Sequence, residues 1–217
     1  GALNRVEGEY ATVGGGNSNL VTAAYGTIGG GGPDEPPSPT GRNVVYGEYG
    51  TVGGGNSNQA GTDDGDTTTD QYATVAGGTG NTASAKNATV GGGRDNTASL
   101  GSATVAGGAS NTADGQYAAV AGGFDNTASA VDTTVAGGNK NTANSEKATV
   151  AGGGDNTASD VGATVGGGES NTASDNSAIV AGGFENTADA PSGAVGGGLS
   201  NAASGTAGTV GGGRAND

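Results

Sequence analysis

One apolar position recurs every 15 residues: Val75, Val90, Val105, Val120, Val135, Val150, Val165, Val180, Val195 and Val210. Six residues after each valine comes an asparagine, in the series Asn81, Asn96, Asn111, Asn126 and onward to Asn216. Eight residues after comes an alanine, from Ala83 to Ala203. A period this short leaves no room for a helix pair, whose repeats run to about 33 residues or more. Each copy instead reads as a β-branched A-T-V segment, a glycine turn, a short N-T-A-S segment and a second polar turn. The pattern predicts an all-β chain: a parallel β-roll or β-solenoid with 15-residue coils. Each coil supplies two short strands, and successive coils pair about 4.8 Å apart.

The N-terminal third keeps this register once two insertions are allowed. Val13 to Ile28 is again 15, whereas Ile28 to Val52 is 24 and Val52 to Val75 is 23. Asn43 and Val45 already stand in phase with Val52, which puts the first insertion near 31–42, in "GGPDEPPSPTGR". Asn58 and Ala60 are in phase as well, which puts the second near 61–70, in "GTDDGDTTTDQ". Turns are where a coil bulges at least cost. Residues 1–217 are thus expected to form a single solenoid domain of about 13 coils, a rod of roughly 60 Å. The chain opens and closes in mid-repeat without a capping element, so it is expected to be a segment of a longer chain.

Energetics then ask for more than one chain. Ordering 15 residues costs at least about 15 kcal/mol of backbone entropy. One valine returns about 1.5–3 kcal/mol, and the alanines less. From two residues before each marker to three after it, Val75 to Val210, no residue is charged. Charges gather in the turns, as at Lys86, Arg94, Asp95 and Glu169. Alternation sends Ala and Val to one face and Thr to the other. A strand uncharged on both faces is expected to be covered on both. The second cover is expected from further copies of the same chain, with glycines allowing close backbone approach.

The elements "ATVGGG" or "ATVAGG" with "NTAS" resemble the head domains of trimeric autotransporter adhesins, the YadA-like heads, over nearly the whole chain. Here a double or triple glycine replaces the I-G step of that family's motif. The resemblance implies a left-handed roll, a homotrimeric rod and surface attachment; related trimeric β-rods occur in viral tail fibres and spikes. The general crossover rule alone would favour the right-handed alternative.

Composition narrows the chemistry. Seven basic against 21 acidic residues give a net charge of −14, which repels phosphate backbones and argues against nucleic acid; a salt-rich habitat would suit such a surface. Neither a membrane-spanning apolar run nor a signal peptide is present in the sequence. With no His and no Cys, the commonest general base and thiolate metal sites are missing. The glycine runs are solenoid turns rather than phosphate loops, so no enzyme is expected and no catalytic or cofactor-binding residue is assigned.

Four candidate sites remain. The asparagine row is read as structural, since asparagine tolerates left-handed turns and stacked amides bond along a solenoid. Asp63, Asp64, Asp66 and Asp70 are weak candidates for Ca²⁺, because hard cations take clustered carboxylates. Asp34, Glu35 and Tyr46 are candidates for partner contact on or beside a stiff proline-rich loop. Tyr10, Tyr25, Tyr49, Tyr72 and Tyr117 precede strands, where they could stack on sugars or shield an edge. The expected function is an extracellular adhesive or structural fibre on a cell or virion surface, engaging a receptor or glycan. The alternatives are a glycan-cleaving viral tail-spike domain and a calcium-dependent secreted β-roll.

Overall fold

A computed structural model of the chain describes residues 3–33 and 41–217. These residues form 26 two-residue strands and no helix. The coils, about 13 in all, fall into two compact units, Gly1–Asn111 and Thr112–Asp217.

Each unit is a parallel β-solenoid with two main sheets. In the first unit one sheet runs from Thr12–Val13 to Thr104–Val105 and is called here the valine sheet. The other, the alanine sheet, runs from Arg5–Val6 through Leu20–Val21 and Val44–Val45 to Thr97–Ala98. In the second unit the same sheets run from Ala119–Val120 to Thr209–Val210 and from Thr112–Ala113 to Ala202–Ala203. Pairing is in register, like residue on like residue: Val90 lies against Val75 and Val105, and Ala128 against Ala143. The insertions leave the register intact, since Ile28 pairs with Val52 and Val52 with Val75.

The core of each unit is a set of thin columns. Val75, Val90, Val105, Val120, Val135 and Val150 are fully buried, as are Asn81, Asn96, Asn111 and Asn126 and the inward alanines of the alanine sheet such as Ala83, Ala98, Ala128 and Ala143. Burying each valine contributes only about 1.5–3 kcal/mol, so no coil stabilises itself; stacking does.

One feature departs from expectation. Besides the two strands, each regular coil makes a third contact with its neighbour, one residue wide, just past the glycine run. In the first unit this ladder joins Asn56, Thr79, Arg94 and Ala109; in the second it joins Phe124, Asn139, Gly154, Glu169, Phe184, Leu199 and Arg214. Such bonds use only the backbone, so side chains there vary freely and leave no pattern in the sequence. In the single chain the threonine face is partly open: Thr104 and Thr134 are half-buried, and Ile179 on the same face is 47% exposed.

Candidate functional site

Within each unit the asparagine row is a hydrogen-bonded column. The backbone N–H of Asn96 donates to Asn81 Oδ1 at 3.0 Å, and Asn96 Nδ2 donates to the same oxygen at 3.1 Å. Nδ2 also reaches the carbonyls of Gly92 and Gly108, each at 2.9 Å. The pattern spans both insertions, through Asn43 to Asn19 and Asn81 to Asn58. Among the described residues no buried side-chain nitrogen or oxygen lacks a partner. The left-handed backbone lies one residue before the asparagine, as at Asp95 (φ 54°) and Ser110 (φ 57°). Asparagine is therefore required for its amide, not for turn conformation, which corrects half of the expected reason.

The glycine run makes this column possible. Gly93 has φ +95°, and a Cβ there would lie 2.1 Å from the Gly108 carbonyl oxygen and 2.8 Å from Asn96 Nδ2. The close approach that glycine permits here is between successive coils of one chain.

Tyr10, Tyr25, Tyr49 and Tyr72 form a stack, with ring centroids 5.2, 4.8 and 5.1 Å apart and planes within 15°. Each sits in the left-handed region at φ 58–65°. Each backbone N–H from Tyr25 onward bonds the preceding coil, as Tyr25 does to the Glu9 carbonyl at 2.9 Å. Partial loss of hydration, then Tyr25, Tyr72 and Glu48, hold the Tyr49 phenol above its ordinary value of 10.0. Inside the column each ring covers its neighbour's face, so a sugar finds edges there rather than open faces. The signal was legible: these tyrosines are spaced 15, 24 and 23 apart, like the valine markers. Tyr117 carries the same turn in the second unit, where the next coils have Asp132 and Lys147 instead.

Of the proposed partner contacts, Asp34 and Glu35 lie outside the described residues. Tyr46 is half-buried, at an outward position just after Val45 of the alanine sheet. The 62–70 loop arches beside it. Asp70, 7% exposed, accepts from Thr62 N at 2.8 Å and from Thr62 Oγ1. Asp64 accepts from Asp66 N at 2.9 Å; Asp66 accepts from Thr68 N at 2.9 Å and Thr68 Oγ1 at 2.6 Å. Those two bonds from Thr68, the hydroxyl's first, hold the Asp66 carboxyl below its ordinary range. Glu48 ties the loop down, accepting from Gln71 Nε2 at 3.0 Å and donating its N–H to the Thr67 carbonyl at 2.8 Å.

The four aspartates are thus not gathered. Among the described residues no group of three or more His, Cys, Asp or Glu is placed to hold a metal ion. What the loop does create is a cavity of about 160 Å³, walled by Thr22, Tyr46, Thr62, Asp63, Asp66 and Thr67. Residues from two separate candidate sets, the calcium loop and the partner contacts, meet there.

Among the described residues no helix is long and apolar enough to cross a membrane. No protein-family model matches the chain, and no curated protein matches it significantly.

Proposed function

We propose that the chain is a non-enzymatic segment of an extracellular fibre, displayed on a cell or virion surface, in which three copies pack around a common axis. The outward face of the valine sheets carries the reading. It presents Thr, Ala, Gly and one Ile, without a single charge, on a protein whose net charge is −14. Ile179 lies open on that face. An uncharged surface extending coil after coil is what a chain keeps for a partner. A second copy is the partner that matches it in repeat length, and closed symmetry is the usual outcome for identical chains. The mechanism is spacing and multivalency: stacked coils set distance, and weak contacts at the insertions multiply across copies.

The experiment is the mass of the full chain in solution by light scattering and native mass spectrometry. The expected value is three times 20.0 kDa. Replacing both Thr104 and Thr134 by Glu places carboxylates on the shared face and is expected to give a folded single chain. A single-chain mass for the unsubstituted protein sinks the proposal.

A further inference from the structure

We propose that the cavity at Tyr46 is a carbohydrate site sized for one sugar ring, taking a neutral or amino hexose and rejecting acidic sugars. It deepens the attachment reading and rests on it for the choice of a glycan as ligand.

Four observations on the first unit converge. The first is the ring itself. Positions matching Tyr46 in neighbouring coils carry Thr22, Gly61, Ser84 and Ser99, so nothing in the fold demands an aromatic there. Tyr46 is also outside the tyrosine stack, and its ring meets no other aromatic face. The second is the space beside it. The loop that begins after Gly61 brings Thr62, Asp63, Gly65, Asp66 and Thr67 to line the same cavity as Tyr46. The third is unspent polarity. Asp64, Asp66 and Asp70 are engaged within the loop, yet among the described residues neither the Asp63 carboxylate nor the Tyr46 hydroxyl has a hydrogen-bond partner. The fourth is charge. Glu48, Asp63, Asp64, Asp66 and Asp70 lie between Arg42 and Lys86, an interval with no basic residue.

An apolar ring face with a few convergent polar groups is the usual makeup of a small-molecule site. The C–H face of a hexose covers the Tyr46 ring, and its hydroxyls donate to Asp63 and to the hydroxyl oxygens of Thr22, Thr62 and Thr67, whose own protons are held by the Val45 carbonyl, Asp70 and Glu48. The anionic rim repels a uronate and favours an ammonium substituent.

The test is saturation-transfer NMR on the full chain. The probes are methyl glucoside, methyl galactoside, methyl mannoside, glucosamine and glucuronate. At least one neutral or amino probe is expected to bind with a dissociation constant of about millimolar, as suits a ligand this small. Glucuronate is expected to give a signal at least about fivefold weaker. Tyr46→Thr, which restores the residue type of Thr22, is expected to cut the transfer at least about fivefold while leaving the melting curve in place. Asp63→Asn is expected to cut it about threefold. Silence from every neutral and amino probe on folded protein overturns the site, as does transfer that survives Tyr46→Thr. So does a response to Ca²⁺ alone. The solution mass, measured on the same sample, fails or holds independently, so losing the site and losing the fibre reading are told apart.

Discussion

The alanine sheet is two surfaces built on one backbone. In the second unit its outward positions are threonine from Thr112 through Thr127, Thr142, Thr157 and Thr172 to Thr187, all half-buried, with Ala202 at the last. In the stretch that carries the insertions the same positions hold Leu20 and Val44, both buried, with Tyr46 just beyond. The inward columns, by contrast, run through both regions: valine or isoleucine, asparagine, and small residues in the glycine turn. What differs between the regions is therefore what faces outward. The repeat carries the fold, and departures from it carry whatever is particular to this chain.

The sharpest way to break that division is to attack what the regions share. Asn156→Asp removes donors aimed at the Gly152 and Gly168 carbonyls, 3.0 and 2.9 Å away, and buries an uncompensated charge among oxygens. A loss of about 3–5 kcal/mol is expected, with Asn58→Asp in the insertion-bearing region costing as much. Denaturant titrations that place the two more than about 2 kcal/mol apart would show that the column is not common property.

Glycine separates the regions more finely. A Cβ on Gly153 would lie 2.0 Å from the Gly168 carbonyl oxygen at φ +88°, whereas Gly65 in the loop has φ +83° and open space. Gly153→Ala is expected to cost about 2–4 kcal/mol, strain plus clash, and Gly65→Ala about 1–2 kcal/mol, strain alone. Equal losses in thermal unfolding would remove the claim that coil stacking, rather than backbone conformation, requires the glycine column.

Smaller effects probe the outward face. Val44→Thr puts a hydroxyl where Val44 is buried and is expected to cost about 1–2 kcal/mol. Thr142→Val, its mirror in the regular unit, is expected to stay within about 0.5 kcal/mol. The smallest effect is on titration. Because the Tyr49 phenol is held above 10.0 in the folded chain, the unfolded chain releases its proton first as pH rises. The stack's contribution is thus complete below 10 and declines as pH climbs through the folded value. Tyrosine absorbance near 295 nm is expected to show one phenol ionising late, and Tyr25→Ser to bring it back toward the ordinary range.

Much of this could be read from residue order. The 15-residue step, the inward Val, Ala and Asn, the outward Thr and both insertion points follow from period and alternation, because buried columns tolerate few residue types. The single-residue ladder through Thr79, Arg94 and Ala109 could not, since backbone pairing places no demand on the side chain. The meeting of Tyr46 with Asp63 could not either. It depends on how a loop without periodicity folds back, anchored by Asp70 on Thr62 and by Glu48 on Gln71. The tyrosine stack lies between these cases: its spacing matched the markers, yet each ring considered alone looked like an isolated edge guard.

The asparagine-to-asparagine bonds within each unit run one way, a coil's Oδ1 accepting from the coil that follows it in the chain. Each Nδ2 meanwhile donates onward to a glycine carbonyl of that following coil. During synthesis the earlier coil is made first, and its exposed amide oxygen already marks where the next asparagine docks. The column therefore has a polarity, and it runs the same way as translation. Each turn thus offers the next a ready-made set of partners, one oxygen and one amide, at every step of the stack.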